Sequence, residues 1–235
     1  MSNTRYIVGT GWFHGKQTPE SERYKQAMRW LDNVRRHCSP ERIVVVAQGG
    51  TRFEPGFCEV VHLSGDLGSH VHLCHTRQKN NEFSGWFGAV FALAMLAYNN
   101  ESDLVFQEQD CLVFGDCVGR MYREIGEGGI IFGRAHRGPP HQPCSQALFL
   151  LKYNFIREFV CKVFGSAPMR SLADLGESKF IQQMERNPSM WKQFDFGYDR
   201  ERPFDIKDKE FYVQQVTPQE IEFLTNSGMI EKRFA

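Results

Sequence analysis

Residues 103–115, with the sequence DLVFQEQDCLVFG, decide the fold that we predict for the rest of the chain. Residues 104–106 form one short apolar run and residues 111–114 form a second. Each run has the length and composition of a buried β-strand. Between them lies a polar tetrad, residues 107–110. Because burial of such groups costs free energy unless they have partners, this junction is either a polar strand-to-loop corner or a functional site.

The tetrad contains two carboxylates, Glu108 and Asp110, which are separated by one residue. On an extended chain, side chains two residues apart point to the same side. Carboxylate oxygens are ligands that Mg²⁺ and Mn²⁺ prefer in proteins. Taken alone, the E-x-D pattern favours a polar strand-to-loop corner, and a divalent-cation site is the alternative that depends on the rest of the chain.

The composition of the chain narrows the class of protein. The 235 residues are 41% hydrophobic, which suits one domain with a full core, with or without a small C-terminal extension. The formal net charge is zero, so the sequence carries no electrostatic footprint for nucleic acid. No apolar run approaches the roughly 18 residues of a membrane span. The seven cysteines, with irregular spacing and no signal peptide before them, predict reduced thiols and a cytoplasmic protein.

Apolar runs and amphipathic segments alternate along the chain. Strands are predicted at residues 5–12, 43–47, 57–63, 104–106, 111–114, 130–132, 144–151 and 211–216. Helices are predicted at residues 19–36, 82–98, 116–127 and 154–164, and a last helix follows the capping box at residues 217–220. The alternation predicts an α/β domain. The continuous apolar run at residues 43–47 favours a parallel sheet that is covered on both faces.

The first predicted strand ends in Gly9, Thr10 and Gly11, where a ligand could approach the backbone closely. A dinucleotide-binding site is disfavoured because the spacing is G-x-G-x-x-H-G rather than G-x-G-x-x-G. The second strand also ends in Gln48 without an acidic residue for a ribose. The glycine turn therefore allows a ligand close to the backbone, but it does not indicate a Rossmann cofactor site.

Asn80 or Asn81 can cap the helix before the acidic strand, and this helix carries Gly85 and Gly88 in its first two turns. Each glycine costs about 1 kcal/mol relative to alanine in a helix. Either the helix packs closely on the sheet, or a phosphate or base of a ligand lies near its N-terminus. Both interpretations remain open, and Asn81 and Gly85 are candidate nucleotide-binding residues.

Three further sites have two interpretations each. Glu177 follows a glycine at a predicted helix start, where it either interacts with the helix dipole or acts as a general base. Arg200 and Arg202 are either a solvated pair or cations for a diphosphate leaving group. The histidines and cysteine of residues 70–75 could bind zinc, but no second pair lies nearby at finger spacing, so ordinary loop residues are favoured.

The order of these features resembles that of nucleotide-sugar-dependent glycosyltransferases of the GT-A fold. The resemblance covers residues 5–185 and rests on four stretches. They are YIVGTGW at residues 6–12, NNEFSGWFGAVFALAMLAYNN at residues 80–100, the DLVFQEQDCLVFG stretch, and CSQALFLLK at residues 144–152 followed by GES at residues 176–178. The third looks like the D-x-D signature of the family, written here as E-x-D. The last looks like the segment in which the family often carries a catalytic acid.

The resemblance implies a GT-A-like (Rossmann-like) α/β fold with a mixed, mainly parallel central sheet flanked by helices. Residues 1–193 would form the catalytic domain. Residues 194–235 would form a C-terminal extension that packs on the same domain and closes the site. The implied reaction moves a sugar from a nucleoside-diphosphate sugar to a glycan or other hydroxyl acceptor, assisted by manganese or magnesium.

The resemblance also implies roles for individual residues. Asp110 and Glu108 would bind the metal, and Glu177 would remove the acceptor proton with inversion at the anomeric carbon. Thr10 and Gly11 would line the nucleotide pocket, as would the helix start at Asn81 and Gly85. Gln215, or a tail arginine such as Arg200 or Arg202, would close the site over the diphosphate. A retaining mechanism without a base remains open.

Two other function classes remain as alternatives. A sugar-phosphate nucleotidyltransferase would share the fold style and the metal. It would normally have a glycine-rich, basic loop after its first strand, whereas the loop here, GTGWFHGK, has only Lys16. A non-catalytic nucleotide- or carbohydrate-binding module would bind its ligand without turnover.

Overall fold

The computed structural model describes residues 5–12, 22–48, 58–63, 83–134, 144–164, 186–198, 206 and 209–234. The strands in this part of the chain are β1 (Tyr6–Trp12), β2 (Arg42–Gln48), β3 (Glu59–Leu63), β4 (Asp103–Gln107), β5 (Cys111–Phe114), β6 (Ile130–Arg134), β7 (Cys144–Leu151), β8 (Trp191–Phe194) and β9 (Phe211–Gln214). The α-helices are α1 (Glu22–His37), α2 (Phe83–Asn99), α3 (Cys117–Ile125), α4 (Tyr153–Phe164) and α5 (Pro218–Asn226). A short 3₁₀ helix, Lys232–Phe234, follows α5.

Seven strands form one mixed sheet in the order β3-β2-β1-β4-β7-β6-β8. β1 pairs in parallel with β2 and β4, β2 with β3, and β6 with β8. Only β7 runs antiparallel to its two neighbours, β4 and β6. The predictions of an α/β fold and of a mixed, mainly parallel sheet flanked by helices in a single domain are confirmed.

Helices cover both faces of this sheet, as the continuous apolar strands require. Val8 of β1 packs in one core cluster with Trp30 of α1, whereas its neighbour Ile7 packs in a second cluster with Leu93 of α2. A Cβ at Gly9 would lie 2.4 Å from Cδ2 of Leu93. Gly9 is therefore explained by the close packing of α2 on β1.

The C-terminal part of the chain adds to the domain in two places. β8 extends the main sheet at its edge next to β6, and this short strand was not predicted. β9 pairs antiparallel with β5 in a separate two-stranded ribbon. The predicted capping box is confirmed, because Thr217 and Glu220 exchange side-chain-to-backbone hydrogen bonds at the start of α5. The division of the chain at residue 193 stays a prediction.

Within the described ranges, no helix combines the length and the apolar character that a membrane span needs.

His37, the last residue of α1, is half-buried against the chain segment that follows β5. Its Nδ1 accepts the backbone N–H of Gly115 at 3.3 Å, and its ring meets Phe114 edge-on with the centroids 5.3 Å apart. Burial lowers the pKa of His37 below its ordinary value of 6.5, the nearby Arg36 lowers it further, and Asp32 opposes the shift. The neutral imidazole is therefore the form that the folded chain prefers.

This preference makes stability depend on pH. As the pH falls below about 6.5, the unfolded chain takes up the His37 proton before the folded chain does. Protonation therefore favours the unfolded state, and the free energy of unfolding decreases progressively below about pH 6.5. We expect the wild-type protein to lose more free energy of unfolding between about pH 7.5 and about pH 5.5 than His37→Gln does. Urea titrations at both pH values measure this difference, and equal losses would show that His37 does not titrate in this range.

Candidate functional site

The E-x-D carboxylates lie in a turn directly after β4. The backbone N–H of Cys111 donates to the carbonyl oxygen of Glu108 at 2.9 Å, which closes a four-residue turn over Glu108, Gln109, Asp110 and Cys111. The expectation of an extended chain here was wrong. The physical reason is that β5 leaves the main sheet to pair with β9, so the chain must turn at the end of β4. We call residues 108–111 the acidic turn.

The end of β9 contacts both carboxylate residues of the acidic turn. Nε2 of Gln214 donates to Oε2 of Glu108 at 2.7 Å. The backbone N–H of Gln215 donates to the carbonyl oxygen of Asp110 at 3.0 Å. Gln215 has a φ of 53°, a left-handed conformation that lets the chain leave the ribbon towards α5. Gln215, which was predicted to close the site, thus contacts Asp110 through a hydrogen bond between their backbones.

A buried amide network lies under the acidic turn. Asn33 of α1 pairs with the backbone of Val113 in both directions: its Nδ2 donates to the carbonyl oxygen at 2.7 Å and its Oδ1 accepts the N–H at 2.8 Å. Nε2 of Gln107 donates to the carbonyl oxygen of Cys111 at 2.8 Å and to Oδ1 of Asn33 at 3.2 Å. Nε1 of Trp30 donates to the backbone carbonyl of Gln107 at 3.1 Å. These bonds fix both ends of the turn to α1.

A cavity of about 320 Å³ opens beside Asp110, and Gln109, Gln215 and Arg29 also line it. The Arg29 side chain is only 9% exposed, and its Nη2 lies 3.7 Å from Oε2 of Glu22. Burial lowers the pKa of Arg29, and Glu22 partly offsets that shift. The buried guanidinium of Arg29 and the carboxylate residue Asp110 therefore line the same cavity.

Three of the predicted nucleotide-binding residues lie at this same edge. Thr10 and Gly11 are close to the C-terminal end of β1, which runs parallel to β4, and Thr10 is buried. Gly85 lies in the first turn of α2. The next residue, Trp86, packs its ring on Phe106 of β4 with the centroids 5.6 Å apart. The nucleotide-binding roles of Thr10, Gly11 and Gly85 stay predictions.

The remaining predicted site residues lie outside the described residues. They are Asn81, Glu177, Arg200 and Arg202, together with the histidines and cysteine of residues 70–75.

The donor set of the acidic turn suits a hard cation that is shared with a substrate. In the described part of the chain, no group of three or more His, Cys, Asp and Glu side chains is arranged to hold a metal ion. Two carboxylates fit Mg²⁺ or Mn²⁺ when phosphate oxygens and water complete the coordination shell. The neighbouring Cys111 does not compete for the ion. Its burial, together with the Asp110 charge, raises the pKa of its thiol well above the ordinary value.

Sequence reasoning missed four residues of this site: Gln107 as a network residue, Gln214, Asn33 and Arg29. A signal for the last two was present, because Gln26, Arg29 and Asn33 are polar residues at helical spacing on α1. Such a polar row beside an apolar stripe predicts that this side of the helix faces either solvent or a polar part of the protein. The pairing of Gln214 with Glu108 had no local signal, because the two residues are 106 positions apart.

No protein-family model and no curated protein matches the chain. Solved structures do match it. A glycosyltransferase involved in the glycosylation of the major capsid of PBCV-1 superposes with a TM-score of 0.56 and 12% identity, over 96% of this chain and 99% of that one. An active-site mutant of LgtC gives a TM-score of 0.54 at 8% identity, over 97% and 96% of the two chains. The glycosyltransferase GlyE of Streptococcus pneumoniae TIGR4 gives 0.53 at 10% identity, over 92% of this chain and 56% of that one.

At these identities the likeness concerns the fold alone. The resemblance drawn from the sequence is confirmed at this level, and the chain has the GT-A fold of glycosyltransferases.

Proposed function

We propose that the protein is a glycosyltransferase that moves a sugar from a nucleoside-diphosphate sugar to a hydroxyl acceptor. One observation carries the proposal. In a GT-A fold, the acidic turn holds Glu108 and Asp110 at the C-terminal edge of the sheet, where ligands of open α/β sheets bind. Gln214 and Gln215 contact the two residues from the opposite side. The structural neighbours with this fold are named as glycosyltransferases, which supports the same class here.

The acidic turn suits a divalent cation as cofactor, manganese or magnesium. When bound, the ion would neutralise charge on the diphosphate leaving group. Asp110 and Glu108 would hold it, and Gln214 would keep the Glu108 carboxylate in one orientation through its hydrogen bond. Thr10, Gly11, Asn81 and Gly85 are proposed to line the nucleotide pocket. Gln215, Arg200 and Arg202 are proposed to close the site over the diphosphate.

The proposed transfer breaks the bond between the anomeric carbon and the diphosphate oxygen, and forms a bond between that carbon and the acceptor oxygen. The acceptor proton passes to the carboxylate of Glu177, and the nucleoside diphosphate leaves. Attack from the face opposite the leaving group inverts the anomeric carbon.

The central test is thermal unfolding with a panel of nucleoside diphosphates, with and without Mn²⁺. A ligand at about 100 times its Kd adds about 2.7 kcal/mol to the free energy of unfolding. That raises Tm by about 5–10 °C for a chain of this size. We expect one nucleotide to produce a metal-dependent shift, and we expect Asp110→Asn to remove it, because an amide lacks the charge that binds the ion. The exposed acid Glu127 provides the control variant Glu127→Ala, which should keep the shift.

Two results would overturn the proposal: no shift with any nucleotide, or a full metal-dependent shift in Asp110→Asn. A nucleotide that binds while no donor sugar is transferred or hydrolysed would instead indicate a non-catalytic binding module.

The role of Glu177 has its own test. If Glu177 is the general base, Glu177→Gln should lower kcat by about 100-fold or more, while the nucleotide-induced Tm shift stays as in the wild type. The anomeric configuration of the product, followed by NMR, should be opposite to that of the donor. Wild-type turnover in Glu177→Gln, or a retained configuration, would remove the assignment.

A further inference from the structure

A groove runs from the acidic turn between residues of α1 and residues of α5. Beside the turn it is the cavity of about 320 Å³, and beyond it lies a second cavity of about 470 Å³. The same four residues line both cavities, which makes them one continuous groove: Glu22, Arg29, Pro218 and Ile221. Each volume falls in the range of about 300–1,000 Å³ that is typical of small-molecule sites. We call this feature the α1–α5 groove.

Both walls of the groove are fixed relative to the acidic turn. On one side, Asn33 ties α1 to Val113 of β5. On the other side, α5 begins at the capping box that follows Gln215, and its Leu224 packs in a core cluster with the apolar side chains of β5 and β9. The groove is therefore held open by the fold, and a ligand that occupies it would reach the Asp110 end.

The charges that line the groove nearly balance. In the cavity beyond the acidic turn, two carboxylates (Glu22 and Glu222) accompany two cations (Arg29 and Lys232) among the described lining residues. A negatively charged ligand there would meet the two carboxylates, and a positively charged one would meet the buried Arg29 guanidinium. An uncharged ligand suits this lining better than either.

Amide side chains supply most of the uncharged polar surface. Gln109 of the acidic turn, Gln26 of α1 and Gln215 line the near cavity, and Asn226 lines the far cavity. An amide carries two N–H donors and one carbonyl acceptor, which match a hydroxyl group that both donates and accepts. The lining also includes apolar side chains that can cover the C–H face of a pyranose ring: Leu112, Val216, Pro218 and Ile221.

We propose that the α1–α5 groove binds a neutral oligosaccharide, which serves as the acceptor with its reactive end beside Asp110. The acceptor role rests on the proposed function, whereas the binding site rests on the groove alone. Gln26 and Asn226 contact sugar hydroxyls near the two ends of the groove, and Ile221 contacts a ring face between them.

The test measures oligosaccharide binding to the full chain by saturation-transfer NMR and titration. The probes are three neutral trisaccharides, cellotriose, maltotriose and N,N′,N″-triacetylchitotriose, with trigalacturonic acid as the anionic comparison. We expect at least one neutral trisaccharide to bind. Gln26→Ala and Asn226→Ala should each weaken its binding by about tenfold. Ile221→Trp should abolish it by filling the groove. Gln219→Ala is the matched control, because Gln219 is exposed on α5 and is not among the lining residues, and it should bind as the wild type does.

Three results would overturn the inference: binding of trigalacturonic acid alone, binding of no neutral trisaccharide, or equal binding by the wild type and the Gln26→Ala and Asn226→Ala variants. Circular dichroism of each variant checks that the fold is retained. The nucleotide titration of the wild-type protein separates the two proposals. If the protein binds a nucleotide but no neutral oligosaccharide, the proposed oligosaccharide site is contradicted and the proposed glycosyltransferase function still stands. If the protein binds a neutral oligosaccharide in the groove but binds no nucleotide, the glycosyltransferase function is contradicted and the oligosaccharide site is supported.

Discussion

Replacing Gly115 with alanine is expected to lower the free energy of unfolding by about 2–5 kcal/mol, measured by urea denaturation. Gly115 has a φ of +66°, which a residue with a Cβ adopts at a cost. A Cβ at this position would also lie 2.0 Å from the carbonyl oxygen of Lys209 and 3.3 Å from Cα of Glu210. Both are backbone atoms, so relief requires the segment that leads into β9 to move.

The chain offers a matched control for this variant. Gly228 has a φ of +76°, and a Cβ there would meet no described atom within 4 Å. Gly228→Ala should therefore show only the conformational cost, about 1 kcal/mol. The excess in Gly115→Ala measures the clash. Equal losses in the two variants would show that residues 209–210 move aside freely. Because β9 carries Gln214, we also expect Gly115→Ala to weaken the metal-dependent nucleotide shift.

Asn33→Leu is expected to cost about 2–4 kcal/mol of the free energy of unfolding. Leucine has the same number of side-chain heavy atoms and the same branch point, but it leaves the N–H and the carbonyl oxygen of Val113 without their Asn33 partner. The Nε2 group of Gln107 also loses the hydrogen bond that it donates to Oδ1 of Asn33. Since Asn33 is only 3% exposed, water does not readily replace these bonds. We expect the variant to lower the free energy of unfolding and also to loosen the acidic turn.

Amide hydrogen exchange separates a local effect from a global one. In Asn33→Leu, the Val113 N–H should exchange faster relative to the N–H of Ile131, which lies in the main sheet. Ser102→Ala is the control, because Ser102 is equally buried but follows α2 at the opposite end of β4. It should destabilise the fold without a selective change at Val113. Uniform acceleration of exchange in Asn33→Leu would contradict the idea that Asn33 holds the turn.

Local patterns were sufficient to predict most of the fold. The continuous apolar run of β2 and the apolar α2 before β4 predicted the α/β alternation, because each pattern reports burial of one short segment. Thr217 predicted the start of α5 because capping depends on only four consecutive residues. β8 was missed because WKQF is short and half polar, and it becomes a strand only through its pairing with β6.

The candidate site was less predictable for the same reason. The E-x-D pattern identified Glu108 and Asp110, but their conformation depends on where β5 goes, and β5 follows β9 from the far end of the chain. Gln107 was predicted only as one member of the polar tetrad, whereas its partner Asn33 lies 74 positions away on α1. Contacts of this range leave no periodic signal in either segment, so only the folded chain reveals them.

The pairing of Gln214 with Glu108 also sets an order of events during synthesis. At a translation rate of about 5–20 residues per second, the 106 residues between the two partners take about 5–20 s to make. During that interval β1, β2, β3 and β4 already exist, while the acidic turn lacks its partners from β9. The nascent sheet can therefore form first, and the proposed catalytic edge is completed only when the end of the ribbon arrives. Closing so long a loop raises the contact order of the domain, so folding of this edge is expected to be its slow step.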